Sequence, residues 1–252
     1  MATPHCPPAD LRADLVARGI LSATANWRAQ TSGRTNRVWR VDGPVPMAVK
    51  LYDTEAQTAL FPNDPDSEWR ALLRLSGTGL APEPIARRLS PFPYLVYRYV
   101  DGVTPMADAA EICRALRRLH RIPPPDRIRQ LPTTVPMVFL HGDPVPGNLV
   151  ATPQGPCFID WQCPAVGDPV HDLALALSPS MRIANGLTAL TEAEISVALH
   201  AYDCSESTDR FHAQRAGFAR TLADHAAWRV ACGDQAYAAG LRAERAIANQ
   251  MR

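Results

Sequence analysis

The stretch His141-Gly142-Asp143-Pro144-Val145-Pro146-Gly147-Asn148, followed by Phe158-Ile159-Asp160-Trp161, decides how this chain is read. It sets an Asp, four residues and an Asn ahead of a second Asp that follows two apolar residues. Phosphoryl transfer to a hydroxyl needs such a set. In such a set one carboxylate, here Asp143, would orient the attacking hydroxyl and accept its proton. An amide oxygen, on Asn148, with a second carboxylate, Asp160, would hold Mg²⁺ against nucleotide phosphates. Mg²⁺ takes hard oxygen ligands and few protein contacts, so one Asn and one Asp suffice.

Upstream, Pro46-Met47-Ala48-Val49-Lys50 reads as a short strand ending in Lys50, the only lysine among 26 basic residues. A chain that uses Arg wherever a generic cation serves has kept a compact ammonium here. A phosphate clamp in a tight cleft is a place where a point charge and a planar fork differ. Ala-x-Lys on a strand matches the phosphate-contacting lysine of kinases.

The bulk properties narrow the class. A chain of 252 residues can bury a large core, roughly 70–75% of its unfolded surface. A net charge of +1 argues against a dedicated nucleic-acid binder. No apolar run reaches the roughly 18 residues of a membrane span. The first residues, Met-Ala-Thr-Pro-His-Cys-Pro-Pro, lack the basic-then-apolar order of a secretory signal. Cysteines 6, 113, 157, 163, 204 and 232 are scattered without a C-x-x-C pair. They read as reduced thiols of a cytoplasmic protein.

Period and punctuation predict two halves. A helix is expected over 9–21, then strands at 27–31, 37–41 and 46–51, with a Ser/Gly/Thr/Asn turn at 32–36. An amphipathic helix is expected at 66–76, with Trp69, Leu72, Leu73 and Leu75 apolar. Strands at 84–89 and 94–100 precede a helix at 108–120. Thr191-Glu-Ala-Glu194 opens a helix to 203 with a capping-box pattern. Helices at about 210–232 and 235–250 finish the chain. The expectation is an α+β chain of two lobes with a cleft between them, divided into 1–100 and 101–252.

Over about 20–175 the sequence resembles the aminoglycoside phosphotransferase and choline kinase-like group of small-molecule kinases. The matching stretches are Ser32-Gly33-x-Thr35-Asn36, Ala48-Val49-Lys50, Glu68 with Leu72 and Leu75, Leu119-His120, His141-Gly142-Asp143 to Asn148, Ile159-Asp160-Trp161, and Gly167-Asp168-Pro169 to Asp172-Leu173-Ala174. Each piece is weak alone, and their order and spacing carry the likeness. The resemblance implies a protein-kinase-like fold, with a small antiparallel β N-lobe and a mainly helical C-lobe. It implies ATP and Mg²⁺ as cofactors and a small-molecule hydroxyl as acceptor: sugar-like, an amino alcohol or an aminoglycoside. It implies no nucleic-acid or membrane partner and leaves the oligomeric state open.

The same resemblance implies roles. Asp143 is the base, and Asn148 and Asp160 are the metal ligands. Lys50 touches the α and β phosphates and pairs with Glu68, which read alone is a solvated helix charge. Ser32, Gly33 and Thr35 lie in a turn that covers phosphates with backbone N–H groups, or in an ordinary hairpin turn. Main-chain groups near Arg98 and Val100 pair with the adenine. His141 and Asp172 support the catalytic loop, and Trp161 belongs to the core.

Departures from the family pattern bear on the acceptor. Only 20 residues separate His120 from His141, too few for the longer helical insert of many relatives. The acceptor site is then built from the catalytic loop and the C-terminal helices. Val145 stands where relatives often carry His. Gln162 stands where kinases of cationic acceptors often carry Glu, which favours a neutral, hydroxyl-rich acceptor. Against that, Asp168, Glu192, Glu194 and Asp224 restore a negative field. Asp224-His225-x-x-Trp228-Arg229 either lines the pocket or forms a buried helix face.

Two other readings remain. Only 11 residues lie between Asp160 and Asp172, with no A-P-E segment, which disfavours a protein kinase. A nucleotide-binding pseudokinase or regulator without turnover is the alternative. Metal-dependent phosphate transfer from ATP, stimulated by an acceptor, separates it from an enzyme.

Overall fold

The computed structural model describes residues 6–30, 35–53, 55–58 and 60–250. The first half is a five-stranded antiparallel sheet of order β1-β2-β3-β5-β4. Its strands are β1 (Trp27–Gln30), β2 (Arg37–Val41), β3 (Met47–Leu51), β4 (Pro84–Arg88) and β5 (Tyr94–Arg98). Helix α1 (Ala9–Ala17) covers one face and α2 (Pro65–Leu75) the other. Strand alternation sorts the two faces. Val49, Leu51, Tyr94 and Val96 pack with Leu11 and Leu15 of α1. Ala48, Leu95 and Tyr97 pack with Leu72 and Leu75 of α2. Lys50, between Val49 and Leu51, therefore faces α2 and the second half.

That inner-face core continues without a break into α3 (Ala109–Leu119), α4 (Val170–Ala176) and α6 (Glu192–Tyr202). The remaining helices are α5 (Pro179–Ala184), α7 (Ser205–Ala231) and α8 (Ala238–Gln250). The second half also holds a small sheet of β6 (Arg129–Gln130), β10 (Ala165–Gly167) and β7 (Val138–Leu140), and a hairpin of β8 (Leu149–Thr152) and β9 (Gly155–Phe158). Among the described residues no helix is long and apolar enough to cross a membrane. All six cysteines are free, and burial pushes the Cys113 and Cys157 thiols up to about 12.

Local signals set the helix that matters most to the site. Asp64 caps α2, its side chain accepting from Asp66 N at 3.0 Å and Ser67 Oγ at 2.6 Å. Pro65 supplies a helical φ in the first turn. Such a cap contributes about 1 kcal/mol. The capping box of α6 forms as the sequence predicts, with Thr191 Oγ1 accepting from Glu194 N.

The boundaries differ in places. Helix α1 stops at Ala17, because the chain turns back and both Ile20 N and Leu21 N reach Leu15 O. Leu73 points outward and is 53% exposed, since positions 68, 71, 72 and 75 make the buried stripe. Helix α7 starts at Ser205 rather than near 210. The hairpin β8–β9 and the short helices α4 and α5 were not anticipated.

Candidate active site

The hairpin β8–β9 explains why Asn148 and Asp160 come together. Leu149 pairs with Phe158, so the residues flanking the hairpin lie side by side, and Ile159 N donates to Asn148 O at 2.8 Å. His141 makes a second tie. Its Nδ1 accepts from Asp143 N at 3.2 Å, and its Nε2 meets Ile159 O at 3.1 Å. A backbone N–H can only donate, so Nδ1 is the acceptor and Nε2 carries the proton. Burial drives the imidazole pKa down to about 4, which keeps it neutral.

Asp172 fixes the start of the loop. Its Oδ2 accepts from His141 N at 2.8 Å and lies 3.1 Å from His120 Nε2, and its Oδ1 accepts from Gly142 N at 2.9 Å. Burial would raise this carboxyl, but the His120 bond and the other partners outweigh it and hold it low. Gly142 has φ of +82°, and a Cβ there would lie 2.0 Å from Cys163 O. No other residue fits that turn without displacing the backbone beyond Asp160. Trp161 is fully buried, donates to Phe158 O at 2.9 Å and packs on His141 with ring centroids 4.3 Å apart.

The half-buried Asp143 carboxylate accepts from Asn148 Nδ2 at 3.0 Å, and its carbonyl accepts from the same nitrogen at 3.0 Å. Asn148 thus turns its NH₂ towards Asp143. Its Oδ1, a hard oxygen, is the atom suited to a metal.

Lys50 is 1% exposed and lies 2.6 Å from Glu68 Oε2 and 2.5 Å from Asp160 Oδ1. Burial alone would lower its pKa, but the Asp160 and Glu68 carboxylates outweigh that and raise it, so it stays charged. Glu68 is raised, first by burial and then by Asp160, against the pull of Lys50. One ammonium therefore faces two carboxylates. The Asp160 side chain is 34% exposed, and its φ of +64° is in the left-handed region. Tyr52, not singled out in the sequence, donates its hydroxyl to Glu68 and places its ring 4.9 Å from the Lys50 ammonium. It sits two residues beyond Lys50, a strand-period signal that would have found it.

Other expected residues fall elsewhere. Ser32 and Gly33 lie outside the described residues, and Thr35 is half-buried just ahead of β2. Arg98 N donates to Glu83 O at 2.8 Å, so that N–H is engaged in the sheet. Val100 lies just past β5 and is half-buried.

The Gln162 expectation is overturned. Its side chain is 4% exposed and accepts from Asn36 Nδ2 at 2.6 Å, so it is not offered to an acceptor. The proposed negative field also fails at three of four positions. Asp168 pairs with Arg210, Glu192 with Arg215, and Glu194 closes its own capping box. Asp224 is exposed on α7. Near it, Val145 of the His141–Asn148 loop packs in one cluster with Leu222, Ala226, Tyr237, Phe61 and Val230. His225 meets Phe61 at 5.0 Å between ring centroids, and Trp228 is 46% exposed.

A family model described as a phosphotransferase enzyme family matches residues 26–133 and 127–204. The chain belongs to this family. Solved structures of similar fold include a choline/ethanolamine kinase family protein from Mesorhizobium loti, with TM-score 0.70, 17% identity, and 95% of this chain and 94% of that one covered. The aminoglycoside phosphotransferase APH(4)-Ia, a thermostable variant in ternary complex with AMP-PNP and hygromycin B, gives TM-score 0.67 at 11% identity, covering 96% and 98%. Macrolide 2'-phosphotransferase MphH from Brachybacterium faecium gives 0.57 at 18%, covering 96% and 98%. No curated protein sequence matches. The chain is thus a phosphotransferase of this family with a two-lobed, kinase-like α+β fold.

Proposed function

We propose that this phosphotransferase moves the γ-phosphate of ATP to a hydroxyl of a small molecule, in a cleft between lobes 1–100 and 101–252 of a cytoplasmic protein. The observation that carries the reading is the convergence of Lys50, Glu68 and Asp160 beside the Asp143–Asn148 pair.

The residues fit the cofactors. Asp160 and Asn148 Oδ1 form a hard-oxygen pair suited to Mg²⁺, and two carboxylates against one ammonium leave negative charge for a divalent cation to offset. Mg²⁺ there would neutralise charge on the phosphates. Lys50, steadied by Glu68 and Tyr52, gives a cation to the α and β phosphates. Main-chain groups near Arg98 and Val100 take the adenine. Asp143 accepts the acceptor's proton as its oxygen bonds to the γ-phosphorus and ADP leaves. Asn148 Nδ2 holds that carboxylate in place.

The acceptor class is a sugar-like hydroxyl, an amino alcohol or an aminoglycoside. The solved neighbours named for choline/ethanolamine, hygromycin B and macrolides span that range. The test is ADP formation from ATP with and without Mg²⁺, across sugars, aminoglycosides, choline, ethanolamine and thiamine. Acceptor-stimulated, Mg²⁺-dependent turnover is expected. Nucleotide binding without turnover on any acceptor would favour a regulator instead.

A further inference from the structure

Three neutral amides from distant parts of the chain meet in the interior: Asn36, Asn63 and Gln162. Asn36 Nδ2 donates to Asn63 Oδ1 at 2.9 Å and to Gln162 Oε1 at 2.6 Å. Asn36 Oδ1 accepts from Asn63 Nδ2 at 2.9 Å and from Asp53 N at 3.1 Å. Asn63 Nδ2 also donates to Asp53 O at 2.7 Å. Around them, Asp64 N donates to Gln162 O at 3.2 Å and Cys163 Sγ to Pro62 O at 3.0 Å.

The carboxamide of Asn36 thus makes four bonds, as many as it can. The cluster joins three pieces of the site. Asn36 leads directly into β2. Asn63 adjoins Asp64, the cap of the helix that carries Glu68. Gln162 lies two residues past Asp160, whose backbone is left-handed and needs its surroundings to hold it. Uncharged amides do this without adding charge beside Lys50, Glu68 and Asp160.

We infer that Asn36, Asn63 and Gln162 form an inter-lobe latch that positions Asp160 for the Mg²⁺–nucleotide complex. They are positioning residues, and the inference rests on the phosphotransferase reading above. Gln162→Met keeps the side-chain length and removes the acceptor. Gln162→Glu keeps an oxygen to take the Asn36 bond. Three readouts apply to each purified protein: calorimetric binding of AMP-PNP with and without Mg²⁺, thermal midpoint, and amide exchange of residues 158–163 in the nucleotide-free protein.

Gln162→Met should weaken Mg²⁺–AMP-PNP binding about tenfold, the scale of one lost buried hydrogen bond. Metal-free AMP-PNP binding should stay within about twofold and exchange at 158–163 should quicken, whereas Gln162→Glu, which keeps the Asn36 bond but adds a buried charge, should leave that exchange native-like. If Gln162→Met does not fold, Asn63→Ala carries the same expectation. Equal loss with and without Mg²⁺, or no loss, overturns the latch alone. A native chain that binds no Mg²⁺–AMP-PNP overturns the functional reading and the latch with it.

Discussion

The Lys50 ammonium lies 2.5 Å from Asp160 Oδ1, so the candidate phosphate cation holds the candidate metal ligand directly. In the ligand-free protein, Lys50 and a divalent cation compete for one carboxylate. Nucleotide and metal are then expected to bind together, because phosphates draw the ammonium away as the metal takes its place.

Lys50→Arg tests the fit of that ammonium. The forked guanidinium is larger than the buried slot between Glu68, Asp160 and Tyr52. The ratio kcat/KM for ATP should fall at least about tenfold, which is about 1.4 kcal/mol of transition-state stabilisation. Overpacking should also cost about 1–3 kcal/mol of stability, read from denaturant midpoints. Native kinetics from this variant would place the phosphates elsewhere.

Asp143→Ala should keep the fold and AMP-PNP affinity while kcat drops by about 10²–10⁴, the range for a positioned proton acceptor. Steady-state kinetics beside nucleotide calorimetry separates the two effects. A wild-type rate would show that another group takes the proton.

Asp160→Asn removes the charge of the candidate metal ligand and one partner of Lys50. Half-maximal activity should need at least about tenfold more Mg²⁺, with kcat sharply reduced. A Mg²⁺ titration of both proteins decides it, and superimposable curves would move the metal site.

His141 makes stability depend on pH. Its pKa is lowered from 6.5 to about 4 by burial, so the folded state favours the neutral ring. That contribution is complete above pH 6.5 and is lost as pH falls towards 4, on the order of 3 kcal/mol in all. Urea midpoints from pH 7 to 4.5 should decline accordingly, and His141→Leu should flatten the His141 part of the slope at lower overall stability. A native-like slope in that variant would assign the effect to other groups.

How much was legible follows from range in the sequence. The five strands of the first sheet are legible because short runs of apolar and alternating residues are set off by turn residues. Gln162 was misread because its partner, Asn36, lies 126 residues away, and no local pattern announces a buried amide pair. Asp168 reads from sequence as a field charge because Arg210, 42 residues on, gives no sign of its target. The hairpin β8–β9 escapes the pattern because β9, Gly155–Phe158, opens with Gly and Pro, which read as a turn rather than a strand. Tyr52 was missed although the strand period reached it.

Helix α7 runs 27 residues from Ser205 to Ala231. Near one end Arg210 grips Asp168, just ahead of α4 and Asp172. Near the other, His225 and Trp228 stand by Phe61 and the cluster around Val145. At 1.5 Å per residue, 210 and 228 are about 27 Å apart along one rigid axis. Substitutions at the far end can therefore accumulate without loosening the foundation at the near end. A lineage can try new surfaces beside the His141–Asn148 loop while inheriting the anchoring of that loop intact.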